Sequence, residues 1–208
     1  MGRIHVELAL SYRPRTIIVA DFLDERLELV RKMFNDRANQ NGINLQTINP
    51  QNDKLKEFVL QLSDHRGADD VIIAVGEKQA IENATDYLNK GGVLNLFGGL
   101  KKGAEIVDID ANAIHYKSIN VTGSSGGSPW DVEHTLDLIA KKLIDPSLHI
   151  TRIGDLEHAI EFLKLVKAQK IEGKAIVYPH RYTSEISIVN NWTNEDELNY
   201  LEPSSGDV

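Results

Sequence analysis

The 208-residue chain contains no cysteine. Disulfide bonds and thiolate metal ligands, common in small secreted domains and structural zinc sites, are therefore excluded within it. Seven histidines remain, but no two of them follow the short spacing of paired metal ligands, such as His-x-His or His-x-x-x-His. We expect these histidines to be surface groups or ordinary hydrogen-bonding partners, and we expect no metal site.

Long apolar runs and an excess of positive charge are also missing. No stretch approaches the roughly 20 apolar residues that cross a membrane, and the N-terminus lacks the basic and apolar regions of a secretory signal. We therefore expect a cytoplasmic protein with no membrane partner. The formal net charge of −8 repels phosphate backbones, so nucleic acid is not expected as a partner either.

Short β-branched segments alternate with amphipathic segments along most of the chain. The predicted strands are Thr16–Ala20, Leu45–Ile48, Val71–Val75, Val93–Phe97 and Ser118–Thr122. Between and after them, apolar residues recur every three or four positions, as in Leu23/Leu27/Val30/Phe34, Ile81/Ala84/Leu88, Val132/Leu136/Ile139/Leu143 and Leu156/Ile160/Leu163/Val166. This alternation predicts an α/β fold, a doubly wound parallel sheet of Rossmann type, with each apolar stripe covering a sheet face. The polar segment Asn35–Gly42 is predicted to be a loop.

Small or acidic residues follow four of the predicted strands. They are Asp21, Gly76, Gly98 and the run Gly123-Ser124-Ser125. In a doubly wound sheet, ligands bind outside the carboxyl ends of the strands, and glycine lets a ligand approach the backbone closely. The pattern predicts a nucleotide-binding crevice, although any one of these residues could simply end a strand in a turn.

Asp21 is the most specific candidate for a cofactor contact. An acid at the end of this strand would accept hydrogen bonds from the adenosine ribose and would repel the 2′-phosphate of NADP, which favours NAD. Arg26, in the first turn of the next helix, could flank the same ribose. Alternatively, Asp21 caps the following helix and Arg26 is a solvated surface residue.

The glycine-rich phosphate-binding string G-x-G-x-x-G is absent from the chain. Gly2 nevertheless opens a helix-like segment, Ile4–Leu10, and Asp21 follows it by 19 residues, close to the roughly 20 expected between fingerprint and ribose acid. We interpret Gly2 as the last fingerprint glycine. The first strand and the first two glycines are then expected to precede Met1.

Several segments together resemble the cofactor-binding half of medium-chain, zinc-dependent alcohol and polyol dehydrogenases. They are GRIHVELAL, TIIVADFLDERLELV, RGADDVIIAVG, GGVLNLFGG, IHYKSINVTGSSGG and GKAIVY. The resemblance covers about Gly2 to Tyr178 and is strongest to the sorbitol and sorbose-phosphate reductase branch. It implies binding of NAD, with NADP less expected, and hydride transfer to or from a polyol or ketose in the intact enzyme.

The resemblance also assigns individual positions to the cofactor. Gly2 matches the final fingerprint glycine, and Asp21 and Arg26 match the residues around the adenosine ribose. The other implied contacts are Val75 and Gly76 on the adenine side, Phe97 and Gly98 over the nicotinamide ribose, and Ser124, Ser125 and Gly126 at the carboxamide. Lys174 lies near the point where the family often has a basic residue that reaches the pyrophosphate.

The catalytic zinc of the family is bound mostly by a separate domain that these residues do not match, and zinc supplies the Lewis acid of the reaction. We therefore expect no hydride transfer by this chain alone and assign no catalytic or metal-binding residue. A non-catalytic nucleotide-binding module and a non-functional truncation product remain alternatives. An S-adenosylmethionine enzyme is a weaker alternative, because SINVTGSSGG fits dehydrogenases better.

We predict a cofactor-binding domain over residues 1–179, of which 149–179 would pack toward the catalytic domain, and an acidic, partly disordered tail over 180–208. Within the tail, Ile186–Val189 could lie along a sheet edge. Loss of the central first strand would leave the chain marginally stable. The edge of Ser118–Thr122 would allow a homodimer.

Overall fold

In the computed structural model, which describes residues 1–168 and 170–202, strands and helices alternate along the chain. The strands are β1 Thr16–Ala20, β2 Asn44–Ile48, β3 Ala68–Ile73, β4 Leu88–Leu96, β5 Asn120–Gly123, β6 Ile150–Gly154, β7 Lys174–Val177 and β8 Ser187–Ile188. The α-helices are α1 Gly2–Ser11, α2 Asp24–Gln40, α3 Leu55–Leu62, α4 Lys78–Asn83, α5 Ala111–Lys117, α6 Pro129–Ala140, α7 Ala159–Lys167 and α8 Asn194–Leu201. Within these ranges, no helix combines the length and the apolar character needed to cross a membrane.

The first compact unit, residues 1–136, contains two parallel sheets. One pairs β1 with β2, in register from Thr16 opposite Asn44 to Ala20 opposite Ile48. The other has the order β3-β4-β5, and both of its ladders are parallel. Helices connect consecutive parallel strands, so the predicted α/β fold of Rossmann type is confirmed.

Two hydrophobic clusters hold this unit together. In the first cluster, α1 and α2 pack on the β1–β2 sheet around Val6, Leu10 and the fully buried Phe34. The second cluster surrounds Leu94 of β4 and contains side chains from α3, α4 and the β3–β4 pair. The apolar stripe of α2 therefore covers a sheet face as predicted, with Leu23 excepted because it is the exposed residue before the helix.

The second compact unit begins at Asp137 and contains a sheet of order β7-β6-β8. β8 pairs antiparallel with β6, which confirms the edge position considered for Ile186–Val189. Near this sheet, two effects raise the pKa of Tyr178 to about 12. The larger is burial of its hydroxyl, and the second is the hydrogen bond that this hydroxyl donates to Glu197. The predicted domain boundary at residues 179 and 180 stays a prediction, and the end of the tail, residues 203–208, lies outside the described residues.

The predicted loop over Asn35–Gly42 is wrong, because α2 continues to Gln40. Asp36, Asn39 and Gln40 face water. Phe34 and Ala38, four positions apart, are buried on the side that packs on the sheet. The helix predicted over Ile81–Leu88 is also too long. α4 ends at Asn83, and Leu88 already begins β4.

The apolar stripes predicted to cover a sheet in α6 and α7 are largely exposed. Leu156, Ile160, Leu163 and Val166 are each more than half exposed, and so are Val132 and Leu136. In α7 the neighbouring Phe162 is buried instead and lies against Gly154 of β6. The spacing identified both helices correctly, but in α7 the residue that contacts the sheet, Phe162, lies outside the predicted stripe.

Candidate nucleotide-binding edge

The predicted cofactor residues cluster at the carboxyl ends of the strands in the first unit. Asp21 follows β1 directly, Val75 and Gly76 follow β3, and Phe97 and Gly98 follow β4. Ser124, Ser125 and Gly126 follow β5, and all three are exposed. Because parallel strands end at the same edge of a sheet, these residues line one rim, which is where α/β sheets bind their ligands.

Asp21 and Arg26 are brought together by the turn between β1 and α2. The backbone N–H of Leu23 donates to Asp21 Oδ1 at 2.9 Å, and Arg26 Nη1 lies 3.6 Å from Asp21 Oδ2. The Asp21 side chain keeps 24% of its surface exposed, and that of Arg26 keeps 47%. A held but still accessible carboxylate can accept hydrogen bonds from a vicinal diol, the chemistry expected of a ribose acid.

Asn49 is a residue of this edge that the sequence analysis missed. It follows β2, is buried, and donates from Nδ2 to the carbonyl of Phe22 at 3.1 Å and to Asp24 Oδ1 at 2.9 Å. It thus fixes the loop that carries Asp21. The only signal in the sequence was an asparagine at a strand's carboxyl end, a residue type that often stabilises turns. Asp24 therefore supports the loop and does not cap α2 with its side chain.

The ends of β3 and β4 lie in direct backbone contact. The N–H groups of Phe97 and Gly98 both donate to the carbonyl of Ile73, at 3.2 and 2.7 Å. A Cβ atom on Gly98 would stand 2.4 Å from the carbonyl oxygen of Val75, and one on Gly76 equally close to that of Gly99. These two glycines are therefore required by the packing of the rim itself, whatever ligand approaches it.

The N-terminus of α1 lies at the same rim. The rings of His5 and Phe97 meet edge to face, with centroids 4.4 Å apart. Among the described residues, no side chain caps the start of α1, and Gly2 has open space around its Cα. The N–H groups of a helix's first turn point along its axis and attract anions, so this end is suitably placed to bind a phosphate group. His5 was not identified from the sequence.

The loop after β5 is anchored by the start of α6. Ser128 caps that helix: its Oγ donates to Asp131 Oδ2 at 2.7 Å and accepts from the Asp131 N–H at 3.3 Å. Hydrogen bonds from the Ser128 side chain and backbone hold the pKa of Asp131 below its usual value. Gly126 has a φ of +72° with open space beside it, so the loop exposes its backbone.

Two cavities lie away from the rim residues. One cavity of about 290 Å³ lies between β2 and α3, and another of about 330 Å³ lies around Pro179 in the second unit. Neither is lined by a predicted cofactor residue. Within residues 1–168 and 170–202, no group of three or more His, Asp or Glu side chains is placed to hold a metal ion. These residues therefore do not fit a zinc site.

A known protein family matches most of the chain. The profile described as zinc-binding dehydrogenase matches residues 1–141. A mannitol-1-phosphate 5-dehydrogenase of Aliivibrio fischeri is 31% identical over 182 residues, 86% of this chain and 43% of that protein. An L-sorbose 1-phosphate reductase of Klebsiella pneumoniae is 25% identical over 163 residues, 77% of this chain and 39% of that protein. The chain thus spans less than half the length of these curated relatives.

Solved structures share the fold. An alcohol dehydrogenase of E. coli CFT073, complexed with NADH, superimposes with a TM-score of 0.66 at 22% identity, covering 84% of this chain and 48% of that one. A zinc-binding dehydrogenase of Sinorhizobium meliloti 1021, bound to NADP, gives the same TM-score and identity, covering 86% of this chain and 49% of that one. The first structure holds NADH and the second NADP, so the comparisons leave the choice between the two cofactors open.

Proposed function

The chain belongs to the zinc-binding dehydrogenase family, and from that premise we propose that it is the NAD(H)-binding portion of an alcohol, polyol or sugar-phosphate dehydrogenase. In the intact enzyme, hydride would pass between NAD(H) and a polyol or ketose. The proposal for the substrate class is supported by the two curated relatives named for mannitol 1-phosphate and L-sorbose 1-phosphate.

The geometry of Asp21 is the observation that carries the cofactor proposal. Its carboxylate stands at the end of β1, is held by the N–H of Leu23 and retains solvent access. Two ribose hydroxyls can donate to such a carboxylate, whereas a 2′-phosphate would meet a like charge. Arg26, 3.6 Å away, would cover the adenosine side and partly neutralise the acid. NAD is therefore preferred over NADP.

The remaining rim residues would orient the rest of the dinucleotide. The N-terminus of α1 at Gly2 would face the pyrophosphate, because helix N-termini stabilise anions. Val75 and Gly76 would border the adenine side, and Phe97 with Gly98 the nicotinamide ribose. The backbone of Ser124, Ser125 and Gly126 would hold the carboxamide. These assignments are the ones that the family resemblance implies, and the position of the residues along one rim supports them.

Hydride transfer would require the zinc ion of the intact enzyme, which supplies a Lewis acid to the reacting oxygen. Since the described residues do not fit a metal site, we propose that this chain binds and orients the cofactor without catalysing the reaction by itself. We also propose a cytoplasmic location, where a metabolic dehydrogenase would meet NAD(H).

The test is a fluorescence titration of the purified chain with NADH and NADPH, repeated with Asp21→Ala. Loss of hydrogen bonds to a charged acceptor costs about 1.5–3 kcal/mol, so NADH affinity should fall about 10- to 100-fold. NADPH affinity should fall less or rise, because the like charge is removed. Asp36→Ala, an exposed acid on α2, is the control for the change in net charge.

Three outcomes are distinguishable. Tighter binding of NADH than NADPH, abolished by Asp21→Ala but not by Asp36→Ala, supports the cofactor module. Equal loss with both variants would mean that overall charge, not the ribose contact, controls binding. A folded chain that binds neither dinucleotide would contradict the proposal and favour the non-functional alternative.

A further inference from the structure

A cavity of about 330 Å³ lies at the carboxyl ends of the parallel strands β6 and β7. It is lined by Asp155, Leu156 and Glu157, which follow β6, and by residues 179–182, which follow β7. In open α/β sheets, ligands bind outside the carboxyl ends of parallel strands, and the volume is at the lower end of the range for small-molecule sites. The position and the size of the cavity are therefore those of a small-molecule site within the second unit.

A tight turn places Arg181 at this cavity. The backbone N–H of Arg181 donates to the carbonyl of Tyr178 at 3.1 Å. Pro179 takes the second position of this four-residue turn, where its fixed φ is favoured. Tyr178 is itself tied to the sheet, because its N–H donates to the carbonyl of Gly154 at 2.9 Å. Backbone hydrogen bonds therefore determine where the Arg181 side chain begins.

Within the part of the chain that the structure describes, the Arg181 guanidinium has no carboxylate partner. The side chain is partly buried, its Nε is buried without a hydrogen-bond acceptor, and its Cζ lies 5.5 Å from the ring centroid of Tyr200. An aromatic face attracts a cation but offers no lone pair to the Nε–H. A buried donor without an acceptor lowers stability, and more so when it is charged. A bound anion would provide the acceptor that this group lacks.

Two buried hydroxyl groups near Arg181 also lack hydrogen-bond partners among the described residues. They are Tyr200 Oη, on the ring that the guanidinium covers, and Thr183 Oγ1, two residues further along the chain. Both hydroxyls can donate, and so can the exposed side chains of His180 and Tyr182 in the cavity wall. The residues around the cavity thus offer more donors than the protein itself satisfies, as expected of a site for an oxyanion.

The acidic residues of the wall do not neutralise Arg181. Asp155 Oδ1 accepts from the N–H of Glu157 at 3.0 Å and from His158 Nδ1 at 2.7 Å, and Oδ2 accepts from the N–H of Thr183 at 2.8 Å. Both oxygens of Asp155 are therefore occupied, and its side chain is only 2% exposed. Glu157 is exposed, and its carboxylate is available to accept from a hydroxyl group of a ligand.

We propose that this cavity binds a small hydroxylated molecule through an oxyanion group, either a phosphate monoester or a carboxylate. Arg181 would donate from Nε and Nη to two oxygens of that group, because a guanidinium matches oxyanions in a bidentate manner. His180 and Tyr182 would add further donors, and Glu157 would accept from a hydroxyl group. The site shares no residue with the dinucleotide rim, and the inference does not rest on which cofactor binds there.

NMR of the ¹⁵N-labelled 208-residue chain tests the site, because it observes the Arg181 Nε–H directly. The probes are glycerol 3-phosphate and glycerate, which differ in their oxyanion, and glycerol is the neutral control. We expect a saturable change of the Nε–H signal and of the backbone amides of residues 180–182. Exchange of the Nε–H with water should slow by about tenfold or more, since the buried donor gains a charged acceptor. A response to one anion alone identifies the bound group as phosphate or as carboxylate.

Three variants separate the Arg181 contact from a general effect of charge. Arg181→Gln should weaken binding of the responding anion at least about tenfold, because charge-assisted hydrogen bonds are lost. Lys164→Gln, which removes one positive charge from an exposed position of α7, should change the affinity by about twofold or less. Arg181→Lys keeps a cation beside Tyr200 but lacks the bidentate donor, so it should also weaken binding, and its result stands even if Arg181→Gln does not fold.

Three results would overturn the site. They are the absence of a saturable change at Arg181, an equal response to glycerol, and an equal loss of affinity in Arg181→Gln and Lys164→Gln. Changes confined to the first unit would also overturn it, because the anions would then bind at the dinucleotide rim. Since none of these readouts uses a dinucleotide, failure of NADH binding leaves this test intact.

Discussion

The ion pair between Glu7 and Arg37 should be the most sensitive electrostatic contact of the first unit. Arg37 Nη1 lies 3.0 Å from Glu7 Oε1, and the Glu7 side chain is only 3% exposed. Removing one partner of a fully buried pair costs about 3–5 kcal/mol. Because the Arg37 side chain keeps 28% of its surface exposed, water would offset part of this loss. We expect Arg37→Leu to lower the opening free energy of α1 and α2 by about 2–3 kcal/mol.

Native-state hydrogen exchange of the α1 and α2 amides measures this change at pH 7. Lys56→Leu is the control, since Lys56 and Asp86 form a similar non-local pair at 3.2 Å with both side chains about half exposed, and such pairs contribute about 1 kcal/mol at most. The double variant Glu7→Leu/Arg37→Leu should recover most of the loss. If Arg37→Leu and Lys56→Leu cost the same, the assigned burial of the pair is wrong.

Three further changes test other parts of the molecule. Gly98→Ala should lower the opening free energy of the β3–β4–β5 sheet, measured by native-state hydrogen exchange, by about 1–3 kcal/mol, because its Cβ would meet the Val75 carbonyl oxygen at 2.4 Å. Gly99→Ala, with open space, should cost about 0.5 kcal/mol or less. The backbone N–H of Thr183 holds the pKa of Asp155 below its ordinary value of 3.8. The ionised Asp155 therefore contributes to folding stability above that value, and this contribution is lost as pH falls through the lowered pKa. Acid unfolding of the Asp155→Asn variant should accordingly depend less on pH below about 4. If the predicted homodimer forms through the exposed β5 edge, light scattering should show a dimer for the original chain and a monomer for Val121→Lys, and an unchanged mass would exclude this edge.

The rim of the sheet could be predicted from the sequence, whereas its buried polar support could not. Strand ends such as Asp21 are marked locally, by an apolar run that stops at a small or charged residue. Asn49 and Glu7 are recognisable only after folding brings Asp24 and Arg37 beside them. The loop predicted at Asn35 was wrong because local polarity was given more weight than the helical spacing of the two apolar residues there.

The exposed stripes of α6 and α7 show a second property that could not be predicted from sequence, namely which face of a helix is covered. Spacing alone identifies an apolar face, such as the one that carries Ile160, but it does not indicate whether a neighbouring element covers that face. In α7 the sheet is contacted by Phe162, while Leu163 and Val166 remain exposed. Periodicity therefore predicted the helix and failed to predict its orientation, since both faces carry enough apolar residues to pack.

The division of the first unit into two sheets also affects how the protein unfolds. Backbone ladders make neighbouring strands open together, but among the described residues no ladder joins β1 and β2 to β3, β4 and β5. Each sheet has its own hydrophobic cluster, and the two are linked by side chains such as Ile18, which belongs to one sheet and packs on the cluster of the other. The two halves should therefore behave as separate foldons with different opening free energies. A single melting curve would average them, so that no one free energy of unfolding describes this chain.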